Sequence, residues 1–255
     1  MDHPLRYYKD LVIALTQKEL KVKYKRSFLG YLWSIANPLA LALVFFIAFK
    51  IVMKIQIENY TLFLISGLFP WQWFSNSVNS SAVVFIANAS LIKKVNFRRD
   101  ALVIATVLND MLHFVLSIPV IVLFIFFYGI KPSPLWLIGI PLLLVMQFII
   151  TLGFSVAIST INLFFRDMER IVSIFTTLMF YMTPIIYSED MVPAELKTLI
   201  LLNPLSILMM GWRNLFLKGI LDLNDLMLSL IHSLLVVLAG YFVYRRLKWR
   251  FAEVL

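Results

Sequence analysis

The chain has no cysteine, which excludes disulfides, thiolate nucleophiles and cysteine-held metals. Its three histidines, His3, His113 and His232, stand far apart, and no HExxH pattern is present, so a zinc-hydrolase site has no motif to rest on. The eight glycines never fall in a GxxxxGKS or GxxxxGKT pattern, so the chain carries no P-loop for ATP. Charge is scarce as well: 15% of 255 residues are Asp, Glu, Lys or Arg, against about 25% in an ordinary soluble domain. No cluster of acids or histidines collects at one point, which argues against a stand-alone membrane enzyme such as a lipid-glycan transferase or phosphatase. There is no internal repeat, no low-complexity tract and no separable soluble domain. The opening MDHPLRYYKDL lacks the apolar core of a cleavable signal peptide, and these residues are expected to be retained.

What fills the chain instead is hydrocarbon. Hydrophobic residues make up 61% of it, and mean hydropathy is +0.88. A single soluble core cannot absorb that much Phe, Leu and Ile, so the expected class is an all-α polytopic membrane protein. A spanning helix needs about 20 mostly apolar residues. Six stretches qualify: residues 35–53, 60–88, 101–128, 135–164, 171–187 and 226–244. Residues 188–225 are moderately apolar but broken by Pro193, Pro204, Gly211 and Gly219, and they carry Glu195, Lys197, Arg213 and Lys218. Irregular backbone at membrane depth survives only under cover of protein or beside a water-filled cavity. This stretch therefore reads as a re-entrant helical hairpin between the fifth and sixth spans.

Lysine and arginine placement sets the orientation. The stretch before the first span, the loop 91–100, the turn 165–170 and the tail after Tyr244 hold most of the cations. The opposite side holds only Lys50, Lys54, Lys131, Lys197, Arg213 and Lys218. Both termini are expected in the cytoplasm, with the protein in the plasma (inner) membrane. The run Lys18, Lys21, Lys23, Lys25 and Arg26 read alone suggests a nucleic-acid patch. Lying against an uncharged span, it reads better as a juxtamembrane anchor, where each cation near an anionic leaflet contributes about 1 kcal/mol. Upstream, Leu5, Tyr8, Leu11, Val12 and Leu15 recur at helical spacing. They predict an amphipathic helix in the interface plane within residues 1–33, turning into the first span at Leu29-Gly30.

Three features inside the spans bear on function. The second span contains SNSVNSS, Ser75 to Ser81, beside PWQWF, Pro70 to Phe74. Polar groups there serve either as hydrogen-bonding glue between helices or as the wall of a polar path. Asp110 is the one carboxylate well inside a predicted span, one turn from His113. An intramembrane acid marks a functional site such as a proton relay, or else a locally hydrogen-bonded group. The chain also has 22 Phe, 10 Tyr and 6 Trp. Most of these suit packing and interfacial belts, but Trp71 and Trp73 lie too deep in their span for a belt. A carbohydrate conduit needs such aromatic faces pointing inward.

These segments carry a resemblance. LKVKYKRSFLGYLWSIANPLALALVF, LFLISGLFPWQWFSNSVNSS, NASLIKKVNFRRD, FFRDMERI, YMTPIIYSEDMVP and LLNPLSILMMGWRNLFLKG occur in this order from Lys18 to Gly219. Together they are similar to the permease subunits of ABC-type polysaccharide exporters, which move O-antigen, capsule or teichoic acid chains. The resemblance implies a homodimer seated on two copies of an ABC-type ATP-binding subunit, with ATP and Mg on that partner and no cofactor in this chain. It implies a cargo of polyprenyl-pyrophosphate-linked glycan. It also implies a coupling helix in residues 91–100 with Lys93, Lys94, Arg98 and Arg99. The turn with Tyr24, Lys25, Arg26, Ser27, Leu29 and Gly30 becomes a cytoplasmic gate admitting the lipid pyrophosphate, with membrane anchoring as the rival role of its cations. Channel-facing aromatics are expected among Phe45, Phe49, Trp71, Trp73, Phe180, Tyr181 and Tyr187. Within the same fold, a permease for a drug or small lipid is the alternative. An ion-coupled secondary transporter needs more intramembrane charge than Asp110 and some sign of a repeat.

Overall fold

The computed structural model describes residues 3–24 and 30–254, and all regular structure among them is helical. Helix α1 is His3–Tyr24. Helix α2, Trp33–Phe45, continues as a π-helical stretch over Phe46–Val52. Next comes α3, Tyr60–Ala82, then two short helices, α4 (Val84–Ala87) and α5 (Ala89–Lys94). The long helices α6 (Asp100–Phe127) and α7 (Trp136–Phe164) follow, then α8 (Met168–Met182). The chain continues through α9 (Lys197–Leu202), α10 (Pro204–Arg213) and α11 (Leu223–Leu247) to α12 (Phe251–Val254).

Among the described residues, four helical stretches are long and apolar enough to cross a membrane: Ile35–Val52, Asp100–Phe127, Trp136–Phe164 and Leu223–Arg250. A fifth candidate is the pair Ala194–Leu202 and Pro204–Lys218, bent by 96°. Two predicted spans fall short of the same measure for physical reasons. Helix α3 is diluted by its polar residues between Gln72 and Ser81. Helix α8 has 15 residues, about 22 Å of helix, before the backbone turns extended at Thr183. The predicted span 60–88 also breaks at Val83. The predicted 91–100 helix is interrupted: it is helical up to Lys94, and helix resumes only at Asp100, the start of α6.

The bend in the 188–225 segment follows its sequence. Asn203 caps α10 by accepting from the Leu205 amide at 3.0 Å, and Pro204 takes the first helical position, where its missing N–H costs nothing. Gly219 ends the following π turn at φ 65°, backbone that glycine adopts freely.

Helix α3 is the centre of the bundle. It touches α2, α6, α7, α8 and α10, and most of its residues are buried. Around it forms the larger apolar cluster, including Leu64, Leu68, Phe74, Leu208 and Trp212. A second cluster at one end joins Leu15 of α1, Ile92 of α5, Leu102 of α6, Leu163 of α7, Tyr244 of α11 and Phe251 of α12. The two terminal segments and the 91–100 loop are thus packed together. In α1, Tyr8, Leu11 and Val12 pack on this cluster, whereas Leu5, expected on the same apolar face, is 75% exposed.

Candidate functional site

The residues of α3 that escape burial are almost all polar. Asn76 and Ser80 are exposed, and Gln72, Ser75 and Asn79 are half-buried. Their spacing places them on one face of the helix. This face opens into a groove of about 540 Å³ between α2, α3 and α8. Its polar lining comes from Asn37, Gln72, Ser75, Asn76, Thr176 and Thr177. Asn79 ties the two walls together, donating through Nδ2 to Ser75 O at 2.7 Å and to Thr176 Oγ1 at 3.2 Å.

Aromatic rings flank the polar stripe. Phe45 stacks on Phe180 with centroids 5.4 Å apart. Trp71 meets Phe180 at 5.7 Å, and Tyr181 stands edge-on to Phe180 at 5.2 Å. Phe45, Trp71, Phe180 and Tyr181 all line the groove. Phe49 extends the series, 6.0 Å from Phe45. The Tyr187 hydroxyl donates to the Tyr181 carbonyl at 3.1 Å. Trp73 is not brought to the groove. It is buried against α6, stacked on Phe114 at 5.6 Å, and its indole N–H reaches Val107 O at 3.3 Å. Residues two apart on a helix face away from each other, so the two tryptophans cannot share a surface.

The polar run therefore divides. Ser77 points inward and donates to Asp110 Oδ2 at 3.1 Å, which is helix-to-helix glue. Gln72, Ser75 and Asn76 face the groove. His113 is buried on α6 as well.

At the end holding both termini, the loop before α6 is fastened from two sides. Arg98 pairs with Asp100 at 2.7 Å and lies over the Tyr8 ring of α1 at 4.3 Å. The hydrogen bond to Asp100 is the main reason the Arg98 guanidinium titrates above its ordinary range. Burial, followed by the Asp100 charge, pushes the Tyr8 phenol up. Arg99 donates to Lys248 O at 3.0 Å and sits 5.4 Å from the Phe251 ring. Lys93 and Lys94, by contrast, are exposed. Gly30 opens its turn at φ 50°, in the left-handed region that glycine favours. Lys25, Arg26, Ser27 and Leu29 lie outside the described residues, and for Tyr24 only its place at the end of α1 is described.

At the opposite end the sequence reading missed a clamp. Arg213 is buried, donates to Pro184 O at 2.8 Å and Ile185 O at 2.9 Å, and stacks over Phe63 at 3.6 Å. Behind it, Gln147 of α7 donates to Pro70 O at 2.6 Å and accepts from the Trp212 indole at 2.5 Å. The available signal was an arginine next to a tryptophan in an otherwise apolar stretch.

The described residues form only helices, several of them long and apolar enough to cross a membrane, and α3 turns a polar, aromatic-flanked groove to the surface; these are the features of a membrane protein. Its family is explicit: residues 10–217 match the ABC-2 type transporter family, and the chain belongs to it. Among its relatives, an O-antigen export system permease protein RfbA of Klebsiella pneumoniae is 48% identical over 255 residues, covering 100% of this chain and 98% of the relative. The protein of the same name from Myxococcus xanthus is 34% identical over 253 residues, 98% of this chain and 96% of its own. A polysialic acid transport protein, KpsM of Escherichia coli, is 24% identical over 196 residues, 76% of each chain.

Proposed function

We propose that this chain is the membrane-spanning subunit of an ATP-driven polysaccharide exporter in the inner membrane, and that the groove on α3 is one half of its conduit. The observation that carries the reading is the polar stripe. A helix otherwise buried on all sides turns Gln72, Ser75, Asn76 and Ser80 outward. In hydrocarbon each unpaired amide or hydroxyl costs several kcal/mol. That face must meet water or another polar surface. A second copy placed face to face closes two grooves into one path, lined by hydroxyls and amides for sugar hydroxyls and by Phe45, Trp71, Phe180 and Tyr181 for the apolar faces of sugar rings. The names of the relatives, O-antigen and polysialic acid transport among them, agree with such a cargo.

In this reading the bundle crosses the membrane six times, with α3 and α8 completing the set, α1 lying in the cytoplasmic interface and 188–225 re-entrant at the far side. Both termini are cytoplasmic. The cargo is a glycan on a polyprenyl pyrophosphate, admitted past the turn with Tyr24, Lys25, Arg26, Ser27, Leu29 and Gly30, where cations and hydroxyls meet the phosphates. The chain breaks no bond itself. ATP and Mg bind a separate subunit, whose motion reaches the bundle through the 91–100 segment and shifts it between closed and open arrangements.

The test is deletion in the native host with complementation. Loss of surface glycan, with lipid-linked glycan accumulating inside and both reversed by the intact gene, is expected. Surface glycan persisting in the deletion strain overturns the proposal.

A further inference from the structure

A second cleft of about 540 Å³ lies between the loop before α6 and the end of α11. Its walls include Arg99, Tyr241, Arg245, Lys248 and Trp249, together with the Arg98–Asp100 pair. That pair is internally neutral. Arg99, Arg245 and Lys248 leave the cleft strongly positive, and Arg99 is fixed to its wall by the bond to Lys248 O.

The surface leading to the cleft is equally specific. Ile231, Leu235, Leu238 and Phe242 are exposed and recur at intervals of four, three and four residues, so they form one stripe along α11. The same stripe continues through Arg245 to Trp249, which is 78% exposed. From Leu235 to Arg245 the helix rises about 15 Å, the depth of one leaflet's hydrocarbon. An apolar track of leaflet depth ends in cations and an amphipathic aromatic at headgroup level. A helix end that only obeys the positive-inside rule presents its cations singly to water. Here cations from two separate segments line a single cleft at the end of an acyl track.

We infer that this cleft is a binding site for the phosphate headgroup of an anionic membrane phospholipid, whose acyl chain lies along the Ile231–Phe242 face. The site goes beyond the proposed transport function. It stands apart from the groove, and its failure leaves the export reading intact.

The test uses the purified full chain in mild detergent, stripped of lipid and titrated with dioleoylphosphatidylglycerol, dioleoylphosphatidylcholine or soluble glycerol 3-phosphate, with bound lipid read by native mass spectrometry. Preferential retention of phosphatidylglycerol is expected. The Arg245→Gln/Lys248→Gln variant should retain it roughly thirtyfold less, with an unchanged melting temperature in lipid-free detergent. Lys131→Gln/Lys197→Gln, with the same charge change elsewhere, should behave as wild type. Equal retention of phosphatidylcholine by the wild type overturns the site, as does undiminished retention of phosphatidylglycerol by the folded Arg245/Lys248 variant. Displacement by glycerol phosphate as effective as by the lipid overturns the lipid assignment. The wild-type lipid comparison decides the matter even if the double variant fails to fold.

Discussion

Asn79 of α3 and Thr176 of α8 share a hydrogen bond of 3.2 Å, and this bond joins the two walls of the groove. Because Asn79 also holds Ser75 O, its amide is used for structure, while Asn76, one turn from Gln72, is exposed. The two asparagines should behave differently. Asn76→Trp places a large ring in the groove at little cost to folding, since exposed positions usually change stability by no more than about 0.5 kcal/mol. Surface glycan should fall to background while protein level and melting temperature hold. Export at the wild-type level, read by surface immunoblot, would remove the groove from the path.

The cations between α5 and α6 separate into two kinds. Lys93 and Lys94 are exposed, whereas Arg98 is bound to a carboxylate, Asp100, that is only 1% exposed. Lys93→Glu/Lys94→Glu should leave the melting temperature unchanged and abolish co-purification with the ATP-binding subunit. Arg98→Gln should leave the buried Asp100 carboxylate without its cation and cost roughly 2 kcal/mol or more of stability, whatever the partner does. Thermal unfolding alongside pull-down tells the two apart. If the lysine pair can be reversed in charge without loss of the complex, this segment does not seat the partner.

Much of this architecture can be read from composition because lipid imposes few solutions. Long apolar runs, the break at Pro204 and the stop at Gly219 follow from rules that act within a few residues. Phe45, Trp71, Phe180 and Tyr181 were legible as candidates, yet nothing in one sequence tells Trp71 from Trp73. Their difference is a rotation about α3, fixed by what α6 offers the indole of Trp73. From sequence Arg213 reads as an ordinary cation of the outer side, because its partners are backbone carbonyls distant in the chain. The sequence of α8 underestimates its importance for a similar reason: Thr176 matters through Asn79, 97 residues away.

Arg213 of α10 fastens two other elements at once, with its guanidinium on the carbonyls of Pro184 and Ile185 and its plane over Phe63 of α3. Charged hydrogen bonds contribute about 1.5–3 kcal/mol each. Arg213→Met keeps the bulk but leaves two buried carbonyls without donors, and should cost roughly 3 kcal/mol or more. Arg213→Lys cannot form the planar fork and should recover part of the loss. Melting temperatures in one detergent provide the comparison. A methionine variant as stable as wild type would show that water supplies the carbonyls instead.

Helices α7 and α11 cross at two glycines with no room between them. A Cβ built on Gly240 falls 2.2 Å from the Gly153 carbonyl oxygen, and one on Gly153 falls 2.6 Å from the Val237 amide nitrogen. The obstacle in each case is backbone, which cannot rotate aside. Even Gly240→Ala must push the helices apart, and overpacking of this kind costs about 1–3 kcal/mol, occasionally more. Gly211 in α10 is the internal control, because its Cβ would meet Leu143 Cδ2 at 3.4 Å, an ordinary contact. Gly211→Ala should be neutral or stabilising by up to about 1 kcal/mol, since alanine favours a helix over glycine. The two alanine variants, compared by thermal unfolding in the same detergent, should therefore part, with Gly240→Ala clearly destabilised and Gly211→Ala not. Equal tolerance of both would mean that α7 and α11 do not approach through these glycines.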